Sequence, residues 1–93
     1  MPNTTHRPYR KPEFLIEIYL FMQEYLSKHQ RPPNNREMVS AGFASSTSVI
    51  RYYYGRMRDF SMLEIDDHVA RGIRLLPLKN SHPIIRNLLP KGE

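Results

Sequence analysis

The chain has 93 residues, a formal net charge of +5 and a pI near 9.8, the size of one domain and the charge of a protein that meets nucleic acid or another polyanion. It contains no cysteine, which excludes a disulfide framework and a cysteine-rich zinc site and fits a reducing cytosol. Glu13, Glu17 and Glu24 interrupt the one long hydrophobic stretch, so neither a membrane span nor a signal peptide is read there.

Residues 1–11 read as a disordered basic arm, with Arg7, Arg10 and Lys11 and no acid. Such an arm is a solvated tail or a strand laid in a DNA groove. Pro12 suits the first position of a helix and Glu13 its positive end. The helix then runs to His29, with Leu15, Ile18, Tyr19, Met22, Tyr25 and Leu26 at three- and four-residue steps and Phe14 and Phe21 widening the stripe. Lys28, His29 and Arg31 favour its negative end, and Pro32-Pro33 closes it.

Asn34 stands three residues before Glu37, the spacing of a capping box. The second helix is short, Asn35 to Ala41, burying Met38 and Ala41 with Val39 alongside. Gly42 ends it, where a positive φ is expected, and Phe43 tucks under the turn. Ser45, Ser46, Thr47 and Ser48 supply hydroxyls that cap the next helix or face an anion. That third helix reaches about Arg58. Its apolar stripe is Val49 or Ile50, then Tyr53 or Tyr54, then Met57. Its other face carries Ser48, Arg51, Tyr52 and Gly55. A short capped helix, a glycine turn and a helix with a polar, basic front are the parts of a helix-turn-helix.

Met62–Ile65 and Arg71–Leu76 read as two short strands joined by a loop, a wing that Pro77 ends. In the tail, Ser81 or His82 can cap, Pro83 suits a first turn, and Ile84, Ile85, Leu88 and Leu89 make a one-sided stripe before Pro90. A helix this short docks on its own domain or on a partner, and residues 81–90 are the candidate for a homodimer contact.

PPNNRE, GFASSTSVIRYYYGRM and ARGIRLLPL, in that order, resemble the amino-terminal winged helix-turn-helix DNA-binding domain of the LexA repressor family. The similarity covers roughly Pro12 to Leu78. It implies an α+β fold, mainly α: three helices and a two-stranded antiparallel wing, over residues 12–78, with residues 79–93 a tail. It also implies a site. Ser46, Thr47 and Ser48 with Arg51 and Tyr52 would enter the major groove, Ser45 would also bind the DNA, Asn34 and Arg36 would lie near the backbone, and Arg71 would touch a phosphate from the wing. Three positions depart from the family pattern. Ala41 stands where a Leu is usual, Phe60-Ser61 where a Gly separates helix from wing, and Tyr52-Tyr53-Tyr54 is unusually aromatic, with Tyr54 placed as core, Tyr53 as half-buried and Tyr52 toward the groove. The Ser-Lys protease domain of LexA repressors has no counterpart in these 93 residues.

Catalytic and metal chemistry find no constellation. His6, His29, His68 and His82 lie in different elements without metal-ligand spacing. Asp66-Asp67 reads as turn residues, and the serine run has no activating base. The expectation is a non-enzymatic, sequence-specific binder of double-stranded DNA, a transcriptional repressor or related regulator. It takes no cofactor or small-molecule ligand, avoids membranes, and is cytoplasmic, nucleoid-associated or phage-encoded in a bacterial host. Two alternatives stand beside it. One is a protein-interaction module gripping its partner with Tyr52, Arg51 and the tail stripe. The other is a binder of RNA or of nucleic acid without sequence preference.

Overall fold

A computed structural model describes residues 11–66 and 72–89. The order is α1 (Pro12–His29), α2 (Asn35–Ser40), α3 (Thr47–Asp59), β1 (Leu63–Ile65), β2 (Ile73–Leu75), a 3-10 turn at Leu78–Asn80 and α4 (Pro83–Arg86). This is an α+β chain, mainly helical, with a two-stranded antiparallel sheet, as the sequence predicts. The basic arm and the wing loop fall in residues 1–10 and 67–71 and, like the end of the tail beyond Leu89, lie outside the described residues.

Pro12 opens α1, where its missing N–H costs nothing. Leu15, Ile18, Tyr19 and Met22 are buried along one face. The stripe stops there. Leu26 is exposed and Tyr25 only half-buried, and the Tyr25 hydroxyl donates to Glu37 Oε2 at 2.7 Å. Gln30, at φ 64°, closes the helix in the left-handed region, its N–H donating to the Leu26 carbonyl at 2.8 Å.

The capping box forms as expected. Glu37 N–H donates to Asn34 Oδ1 and Asn34 N–H to Glu37 Oε1, both at 2.7 Å. At the far end Gly42 takes φ 95°. Its N–H donates to the Val39 carbonyl and that of Phe43 to Met38, the paired bonds of a Schellman ending. Ala41 is thus the cap and is exposed, not part of the buried face. Phe43 lies 5.1 Å from Phe21 and 6.0 Å from Phe14, ring centre to ring centre, and Phe14 meets the edge of Tyr53 at 5.2 Å. These rings knit α1 to the helix-turn-helix.

Ile50, Tyr53, Tyr54 and Met57 form the buried side of α3. Both tyrosines are core, so Tyr53 is more deeply placed than its polar edge suggests. The Tyr54 hydroxyl is buried without a hydrogen-bond partner among the described residues, and burial pushes its pKa up. The helix ends in a second Schellman motif, with Ser61 N–H to the Arg58 carbonyl and Met62 N–H to Met57, both at 2.9 Å. Ser61 sits at φ 61°. A left-handed backbone is where glycine is favoured, which accounts for the glycine that the resemblance leads one to expect at this junction.

In the wing, Leu63 pairs with Leu75, Glu64 with Arg74 and Ile65 with Ile73. Leu63 is buried and Ile65, Ile73 and Leu75 pack against the core, while Glu64 and Arg74 form an ion pair on the outer face. The strands are shorter than the sequence suggests, three residues each. Tyr19 OH donates to the Leu76 carbonyl at 2.7 Å, anchoring the base of the wing to α1. His82 supplies the α4 cap, its Nδ1 accepting from Ile84 N–H at 3.1 Å. Of the tail stripe only Ile85 reaches the core; Ile84 and Leu88 are exposed.

Candidate nucleic-acid interface

The Ser46 side chain caps α3 by accepting from Val49 N–H, and its oxygen lies 3.1 Å from that of Ser48. With the apolar side of α3 fixed by Ile50, Tyr53 and Met57, the remaining face must point outward. Ser48, Arg51 and Tyr52 are exposed on it, with Ser45 exposed just before the helix and Ser46 and Thr47 half-buried at its start. Tyr52 keeps 42% of its surface in solvent while its ring touches the edge of Tyr53 at 6.3 Å. It is therefore a braced side chain with its hydroxyl free to reach outward.

A groove of about 430 Å³ runs between the start of α2 and the start of α3, floored by Pro33. Asn34, Asn35 and Arg36 form one wall and Thr47 and Arg51 the other, with Ile73 of β2 at the end. Six expected residues thus fall into two adjoining groups. Asn34, Arg36, Thr47 and Arg51 line the groove, where Thr47 and Arg51 continue into the α3 front with Ser48 and Tyr52. Asn35 and Ile73 are lining residues that the sequence reading missed. Asn35 follows a residue already assigned, but nothing in the spacing brings Ile73 of the wing to the same place. Arg71 lies outside the described residues.

The electrostatics sort the arginines. Arg31, Arg56 and Arg74 are each engaged by a carboxylate. Arg36 and Arg51 have no ion pair with any described residue, and no carboxylate among the described residues lines the groove between them. Two uncompensated guanidiniums on one concave surface make a field suited to an anion chain.

Behind the groove stands a cluster that the sequence reading also missed. Arg31 donates to Glu37 through two parallel bonds, Nη1 to Oε1 and Nη2 to Oε2, each at 3.0 Å. The Arg31 guanidinium lies 5.2 Å from the Tyr25 ring centre. Arg31, the Asn34 backbone N–H and the Tyr25 hydroxyl together hold the Glu37 carboxyl well below the usual carboxylate range. One carboxylate therefore joins the end of α1, the Pro-Pro bend and the start of α2, and so fixes the wall that carries Arg36.

Comparison with known proteins adds two findings. No family model matches the sequence. Over 68 residues, 73% of its length, the chain is 32% identical to the LexA repressor of Roseiflexus sp. (strain RS-1), and it spans 30% of that protein. The resemblance carried by the helix-turn-helix and wing motifs is borne out: over most of its length this chain is LexA-like.

Proposed function

We propose that the chain is a non-enzymatic, sequence-specific reader of double-stranded DNA that regulates transcription, with residues 12–78 as the reading domain and residues 79–93 as its tail. The observation that carries this is the pairing of an exposed α3 front with the groove in which Arg36 and Arg51 meet without a carboxylate. The named relative is a repressor, and repression is the mode that fits.

In this reading Ser46, Thr47 and Ser48 enter the major groove at the start of α3, with Arg51 and Tyr52 behind them. Arg51 forks onto a guanine edge, a contact that contributes about 1–3 kcal/mol of base discrimination. Arg36 takes a backbone phosphate beside it, as does Arg71 from the wing. The Asn34 oxygen is spent on the α2 cap, so Asn34 would meet a phosphate through its Nδ2 hydrogens. Ser45 donates its hydroxyl to the same strand. No helix among the described residues is long and apolar enough to cross a membrane, and the proposed setting is the bacterial cytoplasm.

The test is selection from a pool of random duplexes at near-physiological salt, with the selected sequences then bound across a salt series. An enriched motif and a steep salt slope are expected. Tight, salt-sensitive binding without enrichment would replace the proposal with non-specific nucleic-acid binding. No binding would favour a protein-interaction surface instead, for which the exposed, braced Tyr52 beside Arg51 is the supporting observation.

A further inference from the structure

Away from the α3 front, two elements packed on each other carry opposite charge and unclaimed apolar surface. From Pro12 to Ser27, α1 holds Glu13, Glu17 and Glu24 and no Lys, Arg or His. Glu13, Glu17, Leu20 and Glu24 follow at steps of four, three and four residues, so they share one face of the helix, and all four are exposed. Glu24 is engaged by Lys28 at 3.3 Å; Glu13 and Glu17 have no ion pair with any described residue. Leu20, at their centre, is 51% exposed.

The segment from Pro77 to Leu89 is the converse. It holds Lys79 and Arg86 and no acid, and neither cation is ion-paired with a described residue. Ile85 anchors α4 in the core, while Ile84 and Leu88, four apart on one side, stand 45% and 38% exposed. A single exposed aliphatic needs no account. Here three of them sit on two elements of opposite sign, flanked by Glu13 and Glu17 on one and by Lys79 and Arg86 on the other, none of which is ion-paired with a described residue.

We propose that these two surfaces are halves of one interface, and that the occupant is a second copy of this chain. The acidic α1 face around Leu20 of one copy receives the basic α4 segment with Ile84 and Leu88 of the other. Because α4 packs against α1 within each chain, every copy presents both halves side by side. A two-fold axis then closes the contact, each half meeting its complement twice. Burial of Leu20, Ile84 and Leu88 supplies the affinity, and the charges set the register. The α3 front lies on other residues and stays free.

The experiment is sedimentation equilibrium of the 93-residue chain up to millimolar concentration, with circular dichroism to verify folding. The wild type should dimerise, and more weakly as salt rises. Glu13→Lys with Glu17→Lys in one variant, and Lys79→Glu with Arg86→Glu in another, should each weaken self-association by about tenfold or more. An equimolar mixture of the two variants should recover it, because both halves of the mixed pair are again opposite in sign. Leu20→Ser, which leaves every charge in place, should weaken the wild-type dimer and not be rescued by mixing. A wild type that stays monomeric throughout would overturn the proposal and assign the surface to a different partner. Dimerisation indifferent to the charge variants, or a mixture that fails to recover, would overturn it equally. All these variants should keep wild-type binding to a single selected half-site, so failure of the pairing is separable from failure of DNA reading.

Discussion

Arg31 and Arg51 are the same residue in two opposite situations. Arg31 lies at the bend after α1, where Glu37 takes both ends of its guanidinium and Tyr25 lies beneath it. Arg51 stands on the front of α3 with no described carboxylate against it. The first is consumed in holding the scaffold and the second is left for something outside it. A count of basic residues cannot separate them. What separates them is where the acids fall: Glu37 is drawn into the rear cluster by its own capping role, and among the described residues the front receives none.

The difference can be broken most severely from beneath. Met57→Ala removes a fully buried side chain from the α3 underside and should cost about 2–5 kcal/mol, read as a fall in the denaturation midpoint with an unchanged denaturant slope. Both regions should suffer together, since α3 links the core to the front.

The rear cluster can be loosened next. Glu37→Gln should lower the thermal midpoint by less than Met57→Ala and leave base preference intact. The sign of its pH dependence follows from the depressed Glu37 pKa. Its contribution is present above the unfolded carboxylate value, about 4.3, and is lost as pH falls below that value and through the folded one. Wild-type stability should therefore decline in acid along a steeper course than that of Glu37→Gln. Parallel courses would show that the cluster does not hold the bend.

The front can then be cut alone. Arg51→Ala should leave the melting curve unchanged and flatten sequence preference at one position of the selected site by about 1–3 kcal/mol. Unchanged preference would remove Arg51 from the reading set. The smallest effect is a gain. Ser61→Gly, at the left-handed junction before the wing, should raise stability by about 1 kcal/mol and leave binding alone; a loss would place the Ser61 side chain in a stabilising contact.

The ends of the helices were the most legible part of the sequence. Asn34 with Glu37 and Gly42 act over three or four residues, within the reach of local chemistry, and take their expected roles, and of the four hydroxyl residues expected at the α3 start Ser46 is the cap. The α3 stripe was legible for the same reason, its period being that of the helix. Contacts that cross a bend were not. Arg31 meets Glu37 over Pro32-Pro33, and Tyr25 joins them, while Leu26 is exposed where periodicity alone buries it. Ile84 and Ile85 are indistinguishable by composition, and only the docking angle of α4 decides that Ile85 is the anchor. At the candidate site the α3 residues could be named from their spacing. The groove they share with Asn35 and Ile73 depends on how the wing returns against α2, which no local pattern encodes.

The shortness of α2 bears on how the protein folds and how it responds to strain. Six residues lie far below the length at which a helix nucleates in water. Its capping box and Schellman ending satisfy the end groups but cannot supply the missing turns, so α2 depends on the tertiary contacts of Met38, Val39 and Glu37. Its amides should exchange with solvent at the rate set by global opening instead of through local fraying. The two helices of the motif would then form and dissolve in a single event. A force applied at one wall of the groove would be felt at the other, since the unit offers no joint between them.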